Sequence, residues 1–478
     1  MSTDVDKKIV ANASPVPAAA APRAEPTPTT VIPATAPTTA AAAATPFVPP
    51  DGGRKAWLAV AGGFLCQFCS FGFVNALGSF QYVYEKEILP TQSSSNITWI
   101  LTTQLFLMFF LSQPLGLAAD MFGVRAVLAP ASLFSVGGLI ALSFASEYWQ
   151  IFLAQSLCFG LGAAGVFISG LVAPGQYFGR KRPLVLGIVA AGSSTGGLVF
   201  PIMLARLFAQ IGFRQTLRYT GLMVGVLLAI ANLLVTTPIP PKGLSGRRSL
   251  VSLANFKRPT YLIFVGGSFL FFWGLFGPFD YLPIFASADP STATIALYSA
   301  AIINAASIPG RILPNFYSTR VGSSLRILAV SALVAGASVF IIWLPIYYHR
   351  SEAGLIIFVL VFGFASGAFI SLMTPALIEV AGGNPSELGT MLGSFFVIVA
   401  VADLTGLPIQ GAIEGGSSGL AGLIVFCGVV MLAGAVLLGV AAWRAGKAKE
   451  EAKKAAERRE AEEKGPAGSS SGTGSAEA

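Results

Sequence analysis

Gly165-Val166-Phe167-Ile168-Ser169, followed by Pro174, returns far down the chain as Gly367-Ala368-Phe369-Ile370-Ser371, followed by Pro375. Both copies lie inside long apolar runs with almost no charge. Counting runs outward from each copy makes the first the fourth of one set of six and the second the fourth of another. Two more echoes fall in the same register. Asp120-Met121-Phe122-Gly123 ends the second run as Thr319-Arg320-Val321-Gly322 ends the eighth. Pro201-Ile202 in the fifth matches Pro408-Ile409 in the eleventh. One echo could be chance; three in register describe two parallel six-helix repeats, with a substrate cavity expected at their interface near the bilayer midplane.

A hydrocarbon core of about 30 Å takes about 20 apolar residues as a helix. That yardstick finds spans near 57–83, 99–119, 125–145, 149–174, 184–209, 216–236, 261–286, 295–317, 325–346, 353–379, 387–413 and 419–443. The chain is 54% hydrophobic and 11% charged, with a mean hydropathy of +0.72. Soluble domains carry about 25% charge, so the apolar excess must face lipid. The expected fold is an all-α polytopic membrane protein with twelve transmembrane helices in two six-helix pseudo-repeats. Its expected divisions are a disordered cytoplasmic tail at 1–50, a first half at 51–237, a cytoplasmic linker at 238–260, a second half at 261–443 and a charged cytoplasmic tail at 444–478. Residues 445–464 alternate Lys, Glu, Arg and Ala, with opposite charges at i,i+4 such as Glu450 and Lys454, which describes a solvated helix.

Positive charge orders the loops. The inner loops hold Arg54, Lys55, Arg125, Arg180, Lys181, Arg182, Arg320 and Arg326, and the linker adds Lys242, Arg247, Arg248, Lys257 and Arg258. The outer loops hold Lys86, Arg214 and Arg350. This bias places both tails inside and makes the span count even. It also accounts for the net charge of +8, so nucleic acid is not an expected partner. The expected partners are a small-molecule substrate, with a proton as a second candidate, and membrane lipids; a monomer is the default. The plasma membrane is the first expectation, with a vacuolar or other internal membrane as the alternative.

Several motifs carry a resemblance. Asp51-Gly52-Gly53 stands just before Trp57. Tyr177-Phe178-Gly179-Arg180-Lys181-Arg182 leads on to Gly187, Ala191-Gly192-Ser193-Ser194 and Gly196-Gly197. Ile211-Gly212-Phe213 with Arg218, Gly310-Arg311 and Gly406-Leu407-Pro408-Ile409 complete the set. Together they resemble the fungal branch of the monocarboxylate porter family. Gly116 to Arg125 resembles the loop between helices two and three of the wider major facilitator superfamily. The likeness covers about residues 51–443. It implies the major facilitator fold and transport by alternating access, but the family carries several substrates and does not name the cargo. It also implies a substrate-binding role for Arg311, since animal members use an arginine there. The chain departs from the animal pattern at Ser307, where an acid would stand one turn before the arginine, and its first span lacks the family's lysine.

Charged and polar groups inside spans are the candidate transport residues, because a charge there costs roughly 2.5–3.5 kcal/mol on insertion scales. Arg311 lies eight residues before Thr319, about 12 Å in from the helix end at 1.5 Å per residue. At that depth a guanidinium can take a carboxylate bidentately; the other reading is an arginine that snorkels to the inner surface. Asp403, deep in the eleventh span, is the first candidate for a titratable coupling group. Asp280, between Pro278 and Pro283, is the second, with capping of a broken helix as its other reading. Asn75, Gln81, Gln104, Gln155, Asn304 and Tyr281 are candidates to line the cavity or, equally, to bond between helices. Asp120 and Arg125 are the conformational gating pair: the carboxylate can cap a helix and pair with the arginine in one state and not another.

The expected function is secondary active or facilitative transport of a small, monocarboxylate-like organic anion or related metabolite, with symport as one mode. Efflux of a secondary metabolite is the alternative, and a nutrient receptor without flux is a third reading. Nothing points to an enzyme: the chain has no nucleotide-binding loop, metal cluster or Ser/His/Asp set, and its single histidine, His349, falls in an outer loop. No cofactor is expected. Cys66, Cys69, Cys158 and Cys427 all fall in apolar spans, where packing explains them.

Overall fold

A computed structural model of the chain describes residues 49–241, 243, 253–287, 293–382 and 385–463. The tail at 1–48, most of the linker and the residues after Glu463 lie outside the described residues. Every described span is helical, as lipid requires: a helix satisfies its own backbone N–H and C=O groups where no water can. By length and composition ten described helices can cross a membrane. The first four are α1 (Arg54–Ile88), α2 (Ser94–Phe122), α3 (Val124–Leu142) and α4 (Tyr148–Tyr177). The run Arg182–Leu234 is two spans, because Gly212 at φ 75° and ψ 169° reverses the chain inside it. A side chain would strain that backbone, so glycine is required between α5 (182–211) and α6 (213–234). Then come α7 (Pro259–Ala286), α8 (Ala293–Val321), α9 (Ser324–Tyr348), α10 (Glu352–Val380), α11 (Pro385–Glu414) and α12 (Gly419–Glu463). α8 is not among the ten, and it carries Asn304, Arg311 and Asn315.

The two sets of six repeat one packing scheme. α4 packs on α1, α2 and α3, and α3 also packs on α6; in the second set α10 packs on α8 and α9, and α9 also packs on α12. The sets meet along two seams, α2 with α11 and α5 with α8. The internal sequence echo lies in α4 and α10, with Pro174 and Pro375 inside the helices. α7 breaks at Phe276 between Leu275 and Gly277. The last span and the charged segment are one unbroken helix, not two elements: α12 continues to Glu463, with Lys454 Nζ 2.6 Å from Glu450 Oε1. No proline or positive-φ residue interrupts 420–463, so nothing stops the helix at the membrane edge.

Glu379 lies in the last turn of α10. It accepts the Leu325 N–H at 3.0 Å and so caps the start of α9. Asp51 plays a comparable part for the first set. Its carboxylate accepts the N–H of Gly179 at 2.6 Å and of Arg180 at 3.3 Å, while its own N–H donates to Tyr177 O at 3.0 Å. The Gly179 N–H in particular holds this carboxyl below its ordinary pKa. A lowered pKa means the clasp is fully formed above the ordinary carboxylate pKa and fails only as pH falls through the lower, folded-state value. Asp51→Ala should therefore loosen the loop at neutral pH. Trypsin should cut the solubilised variant after the exposed Arg180 and Lys181 several times faster than the parent; equal rates would show that the clasp does not hold the loop.

Candidate substrate-binding site

Arg311 is 2% exposed, on the seam between α8 and α5. Its Nη1 donates to Ala190 O at 2.8 Å and to the Ser193 hydroxyl. Nε makes no hydrogen bond. Among the described residues no carboxylate forms a salt bridge with it. The guanidinium does not snorkel to the surface. Close helix approach makes this possible: Gly187 lies under Arg311 O and Asn315, and Gly197 lies under the Asn304 amide. Ser194 and Ser307 bond across the same seam at 2.5 Å. Asn315 Nδ2 ties Arg311 O at 2.8 Å to the Ser371 hydroxyl of α10 at 2.7 Å. Removing a charge from water costs several kcal/mol after relaxation. Two bonds from one nitrogen offset part of that and leave the cation without a counter-charge.

Arg311 faces a narrow pocket whose cavity volume is about 30 Å³ in this conformation. The first set lines it with Gln67, Phe71, Phe109, Phe167, Leu171, Leu186 and Ala190, and the second with Ile370, Ser371, Met373, Thr374 and Phe396 beside the arginine. The pocket therefore lies between the two sets, and it reaches from the middle of the helices toward the end that carries the 177–182 loop. Gln67 is fixed to the wall, donating to Phe167 O at 3.0 Å.

Of the sequence candidates, Arg311 alone lines this pocket. Asn75 is half-buried and donates to Ser193 O at 3.4 Å, behind the arginine. Asn304 is buried with its Oδ1 unpartnered, further along the α5–α8 seam. Gln81 lies near the far end of α1 and donates to Glu85 at 3.0 Å. Gln155 is buried inside the first set, accepting from the Tyr84 hydroxyl. Tyr281 belongs to the far end of the second set, its hydroxyl against Gly411. Sequence reasoning passed over Gln67, Thr374 and the four phenylalanines. A signal existed for three lining residues: Phe167, Ile370 and Ser371 belong to the internal echo.

A model of the Major Facilitator Superfamily matches residues 60–402. The chain belongs to that superfamily. Among its relatives, the MFS-type transporter hasB of Aspergillus fumigatus is 43% identical, over 80% of this chain and 87% of the relative. The Fujikurins efflux protein of Gibberella fujikuroi is 35% identical over 80% of this chain and 81% of its own. The Aspyridones efflux protein apdF of Emericella nidulans is 33% identical over 76% and 73%. The chain is thus an integral, multi-pass membrane transporter and not an enzyme.

In this facilitator the two gating candidates are not paired. Arg125 donates from Nε to Val235 O at 2.9 Å and from Nη2 to Leu233 O at 3.2 Å, so it closes the carbonyl end of α6. Asp120 instead lines a separate pocket under Gly123, Gln176 and the start of the linker, Thr237 to Pro241. Asp403 is 2% exposed and neither carboxylate oxygen has a partner. It lies seven residues, two turns on the same helix face, from Phe396. Asp280 is half-buried in the first turn of the second piece of α7, where a carboxylate suits the helix's positive end but makes no side-chain cap.

Proposed function

We propose that this transporter exports a small acidic secondary metabolite by alternating access, with Arg311 holding its acidic group. The observation that carries the reading is a buried guanidinium, without a counter-ion, on the wall of a pocket between the two six-helix sets. A substrate anion supplies the missing charge, and because Arg311 also bonds α5, that anion engages both sets at once. Outward direction rests on relatives that are named for efflux. The plasma membrane is the matching location, with both tails and the linker on the cytoplasmic side. Asp403, buried and unpartnered, is the proposed proton site if efflux is coupled, and Asp120 with Arg125 is the proposed gating pair, joined in the conformation complementary to this one.

Within the superfamily we place the chain near the monocarboxylate porters. The support is the docking of Asp51-Gly52-Gly53 on the 177–182 loop, which joins the two motifs of the resemblance into one contact. The cargo we infer is more apolar than a short monocarboxylate, because most of the wall is aromatic or aliphatic side chain. Comparing acidic metabolites inside cells and in the medium, with and without the protein, tests export. The expected result is retention of at least one acidic metabolite when the protein is absent. Identical distributions, together with no flux in vesicles, would instead favour a receptor.

A further inference from the structure

We propose that the pocket selects a flat, conjugated organic anion, with one acidic group for Arg311 and an aromatic or polyene body for the phenylalanines around it. This rests on the reading of Arg311 as the anion contact and adds what the rest of the ligand must be. Phe109 of α2 and Phe396 of α11 stack across the seam, 5.9 Å between centroids and 10° between planes. Phe71 and Phe167 stand edge-on to Phe109, at 74° and 81°, and Phe167 stands at 89° to Phe396. The Arg311 guanidinium carbon is 5.9 Å from the Phe71 ring centre, so the cation sits at the rim of an aromatic box. Ring faces are negative and ring edges positive, and a planar π-system meets both with complementary geometry. A flexible aliphatic chain of equal size gains burial but not that alignment.

The polar lining excludes the opposite kind of ligand. The Gln67 amide nitrogen is spent on Phe167 O, and the Ser371 hydroxyl on Asn315 Nδ2 and Ala368 O. Beyond Arg311, Thr374 and the Gln67 amide oxygen are the remaining polar groups on the wall. A polyhydroxylated ligand would leave its hydroxyls unpaired against rings. A three-carbon acid would satisfy Arg311 but offer little apolar surface to the four phenylalanines, which pack on one another in this conformation and must part to admit a larger planar body. Since Phe109 and Phe396 come from different sets, such a ligand also couples its own binding to their relative movement.

The test uses full-length protein in lipid nanodiscs and four probes: 2-naphthoate, decanoate, 2-naphthamide and lactate. Binding is followed by titration calorimetry, with the heat of empty nanodiscs subtracted. The expected order places 2-naphthoate about tenfold or more tighter than decanoate and 2-naphthamide, with lactate weakest. Phe109→Leu and Phe396→Leu, which keep apolar volume, should each bring 2-naphthoate toward the decanoate value. Decanoate binding as tightly as 2-naphthoate, with both lost in Arg311→Gln, would overturn aromatic selection and leave the anion contact standing. Equal affinity for 2-naphthamide and 2-naphthoate would overturn the anion contact itself. Failure of all four probes at millimolar concentration would overturn the ring-and-anion site.

Discussion

Replacing Arg311 with glutamine should lower transport at sub-saturating substrate by about thirtyfold or more, with surface abundance near that of the parent. Truncating one partner of a buried, hydrogen-bonded charge pair costs about 2–5 kcal/mol, and the low end of that range is already about thirtyfold. Glutamine can keep a bond to Ala190 O or Ser193 but offers no charge to an anion. Arg311→Lys keeps the charge and loses the planar fork, so an intermediate loss of about tenfold is expected. An arginine that served only to join α5 to α8 would behave differently: glutamine would then be the milder change, because burial of an uncompensated ammonium is costly. The ranking of the two variants therefore separates substrate contact from helix bonding. The measurement is initial rate against substrate concentration in surface-matched cells. A parent-like rate and apparent affinity in Arg311→Gln would leave Arg311 as a seam residue alone.

The sequence was most legible where the bilayer does the selecting. Lipid demands long apolar helices, so the spans, including the break between 184–209 and 216–236, could be read by length. The internal echo was legible because two halves with one packing scheme need small residues and prolines at matching depths. The site was less legible, and for a definite reason. Inside a membrane a polar residue stands out against its neighbours, so reasoning from the chain favoured Gln81, Gln155 and Tyr281. Those residues bond within their own half or sit near the far end. The pocket walls are mostly phenylalanine, and Phe109 or Phe396 cannot be told from a lipid-facing phenylalanine by composition. Only the fold brings rings from α1, α2, α4 and α11 to one place. Arg311 was found in both ways because charge inside a span is rare enough to be seen in sequence and costly enough to be used in structure. The run of α12 into its charged tail was missed at the boundary: hydropathy ends there, but helix geometry does not.

A Gly310→Val substitution should remove most of the folded protein from the membrane, and Gly439→Val should not. Gly310 faces α10, where an added Cβ would fall on the Phe364 carbonyl oxygen and press on its backbone. Gly363 and Gly367 of α10 return the contact, lying against Ile303 O and Ser307 of α8. Small residues four apart let two membrane helices approach until their backbones touch, and packing is the main force that holds them. Overfilling a packed interior costs about 1–3 kcal/mol when side chains can rearrange. Here the obstacle is main chain on both sides, so the cost falls at the upper end, and α8 must move as a unit. Arg311 is the next residue and is held to α5 from that helix, so displacement of α8 also spoils the pocket. Gly439 has no heavy atom within 4 Å of its would-be Cβ and should accept the same side chain. The check is the monodisperse fraction and its thermal midpoint after solubilisation, followed by transport in whatever folded Gly310→Val protein survives. Equal abundance and stability for the two variants would mean that α8 and α10 do not touch through their backbones, and the placement of Arg311 at the seam would lose its mechanical support.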